Sequence, residues 1–206
     1  MQWIYWAILV SCWGLFCLIW VAGWIYNFLK APPVAMRSGF QPVWIVGLVV
    51  IIVVTILFFL LPPQFWAFVT FAPPWLRILG AAVLIISTAF AIWARLILGT
   101  MWSFLDDIKV DHQLRTKGPY SITRHPMYTG TLGMLLGSMF LSGLSNWAVY
   151  FLVWLIIDLV KIPSEERLLK ETFGEQYIQY QQQVPQLIPG LYLLKRHHTQ
   201  NRVGSL

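Results

Sequence analysis

The sequence predicts an all-α protein that crosses a membrane several times. Of its 206 residues, 58% are apolar and only 11% are charged, whereas charged residues make up about 25% of an ordinary soluble domain. A soluble globule of this size could not bury so much apolar surface. The charge is also unevenly placed, because none of the eight acidic residues comes before Asp106. These features exclude a disordered chain, a collagen-like repeat and a disulfide scaffold.

Three apolar runs occupy the first half of the chain. They cover residues 3–29, 43–61 and 75–98, and each has about the 20 residues that a helix needs to cross the hydrocarbon core. The first run has no basic segment before it and is too long for the core of a signal peptide, so we expect it to be retained. We expect Arg77 and Arg95, near the ends of the third run, to extend their side chains to the membrane surface.

A fourth apolar stretch is divided by a cluster of turn residues at 142–146. We therefore predict two helices, 126–141 and 146–161, that form an antiparallel hairpin. The total is about five membrane helices, of which the last two form this hairpin. An apolar stripe follows at spacings of three and four, and it predicts a cytosolic amphipathic C-terminal helix on the membrane surface. The stripe consists of Leu169, Phe173, Tyr177, Tyr180 and Val184.

The basic residues predict the orientation of the chain. All fourteen except Arg77 fall in segments that the five-helix arrangement places on one side of the membrane. By the positive-inside rule that side is cytosolic, so we expect the N-terminus outside and the loops and C-terminus in the cytosol. The same rule accounts for the net charge of +6. Because no basic run is interleaved with stacking residues, no nucleic acid partner is predicted.

The segment 118–130, with the sequence GPYSITRHPMYTG, is dense in functional residue types. Pro126 suits the first position of a helix, which places Arg124 and His125 at the N-terminus of the fourth membrane helix. The free N–H groups and the positive end of the helix dipole favour an anionic group there. Tyr128 lies three residues after His125, on the same face of the helix.

Three glycines follow along the same helix, at Gly130, Gly133 and Gly137. Small residues at such spacings allow tight packing against another helix. They also leave a bare backbone against which a bulky ligand could lie. From the sequence, both interpretations stay open.

Two acidic residues, Glu165 and Glu166, directly follow the predicted fifth helix. One interpretation is structural, with Ser164 as a helix cap and the two acids in the first turn, where they complement the helix dipole. A helical hairpin also brings its two ends together, so the acids would lie level with Arg124 and His125. A cationic cluster beside an acidic pair would suit a zwitterionic ligand.

The motif GPYSITRHPMYTG, followed by EERLLKETFGEQYIQYQQQVPQLIP, resembles the isoprenylcysteine carboxyl methyltransferase family. The preceding segment LGTMWSFLDDIKVDHQLRTKGPY also fits the pattern of that family, and the resemblance covers about residues 98–189. It implies a membrane enzyme with five or more helices, S-adenosylmethionine as methyl donor and a cofactor pocket roofed by the C-terminal segment. No G-x-G-x-x-G fingerprint occurs, so a soluble-type methyltransferase domain is not predicted.

The resemblance implies cofactor-binding roles for the RHPxY element, the acidic pair and the loop that begins at His112. Lys161 stands where the family is often basic, and it is our candidate for holding an anionic acceptor. Asp158 either pairs with Lys161 one turn on or lines the substrate pocket. The predicted cofactor-binding residues are Gln113, Leu114, Gly118, Tyr120, Arg124, His125, Pro126, Tyr128, Glu165 and Glu166.

The predicted function is methyl transfer from S-adenosylmethionine to a lipophilic acceptor in the membrane, most like carboxyl O-methylation of an isoprenylcysteine-type substrate. A carboxylate is already nucleophilic, so no side chain is assigned as a general base. The alternative acceptors are a phospholipid, a small thiol and an amine. Two further alternatives concern the class of protein: an NADPH-dependent reductase of the steroid-reductase type, and a non-enzymatic adaptor or channel. No metal site is predicted, because the pair His197 and His198 lacks partners.

No internal repeat or separate soluble domain is recognisable, so we expect one domain over residues 1–206. Within it, residues 1–98 would form a three-helix membrane scaffold. Residues 99–190 would form the cofactor-binding and catalytic region, and 191–206 a tail. The oligomeric state does not follow from the sequence.

Overall fold

A computed structural model describes residues 2–36, 42–61, 73–103, 108–143 and 145–188. It confirms the predicted polytopic helical fold, with long helices at the expected places. Short 3-10 turns at Gly99–Met101 and Gly118–Ser121 lie between them. The helices are α1 (Gln2–Lys30), α2 (Val43–Leu60), α3 (Pro74–Leu98), α4 (Pro126–Ser142), α5 (Ser145–Phe173) and α6 (Glu175–Gln183).

In the described part of the chain, three helical stretches are long and apolar enough to cross a membrane. They are Trp3–Lys30, Pro74–Met101 and Trp147–Phe173, and α2 adds the shorter apolar stretch Ile45–Leu60. Many large apolar side chains on these helices are exposed at the surface of the protein. Exposed apolar surface of this extent is expected where the surrounding solvent is lipid.

Helix α4 packs along α3 through its glycines. A Cβ on Gly137 would lie 2.5 Å from the backbone nitrogen of Leu84, and one on Gly130 would lie 2.7 Å from the Cβ of Ala91. Gly133 faces Ser87 of α3 in the same way. The three glycines therefore allow close packing of two helices, which is the first of the two interpretations left open by the sequence.

Helix α5 is longer than predicted. We expected it to end at Lys161, but it continues through Pro163 to Phe173. A proline removes one backbone hydrogen bond, and here the turns on either side are fixed by the buried Ile162 and by side-chain bonds of Glu166. The interpretation of Ser164 as a helix cap was therefore wrong, because both acidic residues lie inside a continuous helix.

The predicted C-terminal amphipathic helix is broken at Gly174, whose φ is +53°. This left-handed conformation suits glycine and separates α5 from α6. The apolar stripe itself is present, because Tyr177, Tyr180 and Val184 are buried together and contact Phe173 of α5. The stripe is thus directed towards the body of the protein.

A short pair of antiparallel strands, β1 (Val34–Met36) and β2 (Ile108–Lys109), joins the loops at one end of the bundle and was not predicted. The prediction that Arg95 reaches the membrane surface was also wrong. Arg95 is buried, its guanidinium carbon lies 4.5 Å from the centre of the Trp102 ring, and NH1 donates to Gly99 O at 3.0 Å. A nearby ring and carbonyl thus replace water as partners of the charge.

Candidate active site

The structure brings the cationic cluster and the acidic pair together where α4 begins. Two nitrogens of the Arg124 guanidinium contact Oε1 of Glu166. Nε donates a hydrogen bond to this oxygen at 2.8 Å, and NH2 lies 2.7 Å from it. His125 Nε2 lies 3.2 Å from the same oxygen, and Gln181 Nε2 donates to the other oxygen of Glu166 at 2.8 Å. Glu166 is therefore an internal anchor, since its carboxylate is enclosed by partners from α6 and from the two residues directly before α4.

The segment after α6 lies across the start of α4. The backbone N–H of Arg124 donates to Pro185 O at 2.9 Å, and that of His125 donates to Gln186 O at 3.2 Å. Arg124 NH1 also donates to Val184 O at 2.6 Å. We predicted a free anion site at this helix N-terminus, but these two amides and the guanidinium already have protein acceptors. Their role in the structure is to hold the C-terminal segment over the site.

A second network surrounds Tyr128. Its hydroxyl donates to Oε2 of Glu165 at 2.9 Å and accepts a hydrogen bond from Lys161 Nζ at 2.7 Å. The ring of His125 stacks on that of Tyr128 with centroids 5.5 Å apart, and His125 Nδ1 lies 3.6 Å from Glu165. The side chain of Glu165 is 25% exposed, against 11% for Glu166. Glu165 is thus the member of the acidic pair that is accessible to a ligand.

One cavity of about 530 Å³ begins at these charged groups and continues into the helix bundle. Arg124, His125, Tyr128, Lys161 and Glu165 line its charged end. The other half lies between α1, α2, α4 and α5 and is walled almost entirely by aromatic and aliphatic side chains. These include Trp13, Phe16, Trp20, Ile51, Leu135, Trp147, Tyr150 and Trp154.

Three further residues at the charged end, His112, Tyr120 and Tyr177, line the cavity with unsatisfied polar atoms. His112 Nδ1 and the hydroxyls of Tyr120 and Tyr177 are buried and have no hydrogen-bond partner in the described part of the chain. Buried polar atoms are normally paired, so these three are free to bind a ligand.

The protonation states of these three side chains follow from their surroundings. Burial raises the pKa of Tyr120 and of Tyr177 well above the ordinary value, and the nearby carboxylates act in the same direction. Both phenols are therefore neutral hydrogen-bond donors. Burial, and then the charges of Lys109 and Arg115, lower the pKa of His112, so this imidazole is neutral at pH 7.

Of the twelve predicted site residues, eight line the cavity and four do not, and one of the four, Asp158, is described below. Gln113 is exposed, Gly118 packs near the ring of Trp93, and Glu166 lies behind Arg124. We did not predict Tyr177 as a site residue, although it lies in the FGEQYIQY part of the segment that resembles the family, because its spacing also fitted a surface helix. The predicted residues that line the cavity are Leu114, Tyr120, Arg124, His125, Pro126, Tyr128, Lys161 and Glu165.

Asp158 lies in the interior of the protein. It is completely buried, and both of its carboxylate oxygens lack a hydrogen-bond partner among the described residues. Asp158 and Lys161 interact through their charges, without a hydrogen bond between them, and Lys161 donates to Tyr128. Asp158 is not among the residues found to line the cavity. The pair His197 and His198 and the tail lie outside the described residues.

Comparison with known proteins gives consistent results. Residues 75–176 match the family described as phospholipid methyltransferase. Protein-S-isoprenylcysteine O-methyltransferase B of Arabidopsis thaliana is 34% identical over 119 residues, which are 56% of this chain and 60% of that protein. The Schizosaccharomyces pombe protein-S-isoprenylcysteine O-methyltransferase is 37% identical over 81 residues, 38% of this chain and 34% of that protein. The chain thus spans less than two thirds of these relatives.

A solved structure of the eukaryotic intramembrane Ras methyltransferase ICMT (isoprenylcysteine carboxyl methyltransferase) also matches. Its TM-score is 0.53 at 28% sequence identity, and the match covers 75% of this chain and 55% of that one. The family match includes the α4–α5 hairpin that carries charged groups of the cavity. The chain is therefore similar to isoprenylcysteine carboxyl methyltransferases over part of its length.

Proposed function

We propose that this protein transfers a methyl group from S-adenosylmethionine to a carboxylate on a lipophilic, membrane-embedded acceptor of the isoprenylcysteine type. One observation carries the proposal: a single cavity has charged groups at one end and aromatic walls at the other. A water-soluble donor suits the first environment, and an apolar chain suits the second. The names of the relatives support methyl transfer as the reaction.

The charged end of the cavity has the groups that a zwitterionic cofactor requires. Glu165 offers a carboxylate to a cationic group, while the unpaired hydroxyls of Tyr120 and Tyr177 and the unpaired Nδ1 of His112 offer hydrogen bonds. When bound, S-adenosylmethionine supplies an electrophilic methyl group on a sulfonium, which leaves a neutral thioether after transfer. Glu166 and Arg124 act indirectly, because they hold the C-terminal segment that covers these groups.

Lys161 is the residue that we assign to the acceptor. It lines the cavity between the Tyr128–Glu165 pair and the aromatic half, and only 2% of it is exposed. Its ammonium would hold an acceptor carboxylate while the apolar chain lies among the aromatic side chains. Because a carboxylate needs no deprotonation, alignment and the exclusion of water are sufficient to promote transfer.

The proposed orientation follows from the charges. With the basic ends of the helices in the cytosol, the cofactor enters from the cytosol past the 184–188 segment, and the acceptor enters from the membrane between α1 and α2. The finer division of the chain into a scaffold, a catalytic region and a tail belongs to this proposal. A prenylated molecule is the partner that it implies.

The alternative acceptors differ in chemistry. An amine or a thiol must lose a proton on methylation, and we assign no base for that step. A phosphate headgroup would also pair with Lys161, but the curated relatives compared above methylate isoprenylcysteine according to their names. Those names likewise do not favour a nicotinamide-dependent reduction.

The test uses the purified full-length protein, S-adenosylmethionine with a labelled methyl group, and N-acetyl-S-farnesylcysteine. We expect a labelled methyl ester, identified by the release of labelled methanol in base. Base-stable label would indicate methylation of nitrogen or sulfur and contradict the carboxylate acceptor. Absence of saturable S-adenosylhomocysteine binding by calorimetry, with folded protein, would contradict the cofactor.

Lys161→Ala separates the two binding sites. We expect the KM for the acceptor to rise at least tenfold, with little change in the Kd for S-adenosylhomocysteine, because Lys161 would contact the acceptor only. Arg167→Ala is the matched control, since Arg167 is an exposed basic residue on the same helix. Equal effects of the two substitutions would contradict the role of Lys161.

A further inference from the structure

We propose that Trp13 and Trp147 close the membrane end of the cavity and set the longest apolar chain that an acceptor can place there. We call this pair the tryptophan floor. The proposal rests on the proposed function, because it concerns which acceptors the same cavity admits. It adds a specificity determinant that is distant from the charged groups.

The tryptophan floor lies at the end of the cavity opposite the charged groups. Trp13 is the cavity-lining residue nearest the start of α1, and Trp147 is the one nearest the start of α5. Their rings are stacked, with centroids 5.8 Å apart and planes inclined by 25°. Beyond them Leu9 of α1 packs with Leu141 of α4 in a hydrophobic core. A second cavity, of about 180 Å³, lies on the far side of these two leucines, and neither tryptophan of the floor lines it.

Both rings of the floor are held in place by other helices. Trp13 Nε1 donates to Ser138 Oγ at 3.0 Å, and Ser138 is fully buried and donates to Met134 O at 2.8 Å. Rotating the Trp13 ring away would break this hydrogen bond and leave the indole N–H without its acceptor, which is costly. The floor is therefore a fixed stop rather than a flexible apolar surface.

Trp147 is supported from the side by α2. Tyr150 lies edge-on to Trp147 with centroids 5.7 Å apart, and its hydroxyl lies 2.8 Å from Thr55 Oγ1. Thr55 also donates to Ile51 O at 2.7 Å, which fixes its hydroxyl. The floor thus connects α1, α2, α4 and α5.

The distance from Lys161 to the tryptophan floor sets the length of the apolar chain that fits in the cavity. Lys161 and Trp147 are fourteen residues apart on the same helix, which corresponds to about 21 Å of helix rise. Between them, Trp154 and the facing Phe16 and Trp20 form an apolar wall. A chain held at Lys161 should bind about fourfold more tightly for each methylene added until it reaches the floor, and should gain nothing from further methylenes.

The experiment uses N-acetyl-S-(n-alkyl)cysteines from octyl to eicosyl. Their affinities for the full-length protein are measured by displacement of a tritiated dodecyl member of the series. For the wild type we expect affinity to rise with chain length and then level off. For Trp147→Ala and for the milder Trp147→Leu we expect the levelling to move to chains longer by two or more methylenes. An unchanged limit in the variants would overturn the proposal.

Two controls make the result specific. Trp24→Ala removes an exposed tryptophan of α1 and should leave the limit where it is in the wild type. Trp147→Phe keeps a ring in the floor and should move the limit by less than Trp147→Ala does.

Methyl ester formation is measured on the same series. If the chain length at which affinity levels off increases in Trp147→Ala but no methyl ester forms, the result contradicts the proposed function alone. If methyl ester forms but this chain length is the same in Trp147→Ala as in the wild type, the result contradicts the tryptophan floor alone.

Discussion

The two faces of α4 differ in how closely other parts of the protein pack against them. The face towards α3 carries Gly130 and Gly137 and packs so closely against α3 that no side chain fits between the helices. A Cβ added to either glycine would lie within 3 Å of α3. The face towards α5 carries Tyr128, Thr131 and Leu135 and borders an open cavity. One helix thus separates a tightly packed helix pair from an open cavity.

This difference explains how the protein can keep a cavity inside a small bundle. Close packing against α3 fixes the position of α4, so the opposite face can remain unfilled without loss of order. Substitutions on the two faces should therefore have different effects. Those on the α3 side should reduce stability, and those on the cavity side should reduce binding or transfer.

The largest effect is expected from Glu166→Ala, which should reduce both stability and binding. The substitution leaves Arg124 and His125 without their shared carboxylate. Loss of one partner of a largely buried pair typically costs about 3 kcal/mol. We expect a fall of that size in the free energy of unfolding in mixed micelles, together with loss of S-adenosylhomocysteine binding. Glu171→Ala, an exposed acid of the same helix, is the control and should change neither quantity.

Gly137→Ala probes the face towards α3. Its Cβ would lie 2.5 Å from the backbone of Leu84, and overpacking of this kind costs about 2 kcal/mol. We expect lower stability with unchanged affinity of the folded protein for S-adenosylhomocysteine. Gly14→Ala is the matched control, because nothing lies within 4 Å of an added Cβ there. Reduced affinity at unchanged stability would instead support a ligand against the glycines.

Tyr128→Phe probes the cavity face. It removes the hydroxyl that joins Lys161 to Glu165, and a hydrogen bond to a charged group contributes about 1.5 kcal/mol. We expect methyl transfer to fall about tenfold, with a smaller change in thermal unfolding. A loss of stability as large as that of Gly137→Ala would show that the two faces do not differ as proposed.

The smallest effect on stability is expected from Tyr177→Phe. The hydroxyl of Tyr177 has no partner among the described residues, so its removal should leave the unfolding temperature unchanged or slightly higher. If the hydroxyl binds the cofactor, the Kd for S-adenosylhomocysteine should rise about fivefold. Calorimetry on the variant measures this change. An unchanged Kd would exclude Tyr177 from the cofactor site.

Much of the fold and of the charged end could be predicted because the relevant signals are local. Apolar runs predicted the helix positions, and the turn residues at 142–146 predicted the hairpin. The hairpin in turn brought Arg124 and His125 level with Glu165 and Glu166, as the structure shows. Predictions failed where a local signal was overridden by distant contacts. The continuation of α5 through Pro163 and the burial of Arg95 are examples.

From the residues alone we predicted a helical membrane protein, which the structure confirms, with a candidate site around the α4–α5 hairpin. Three features required the folded structure: the packing of the glycines against α3, the greater exposure of Glu165 than of Glu166, and an aromatic cavity whose lining includes Trp13 and Trp147. The physical reason is sequence separation. Composition and periodicity act over a few residues, whereas Trp13 and Ser138 meet across 125 positions of the chain.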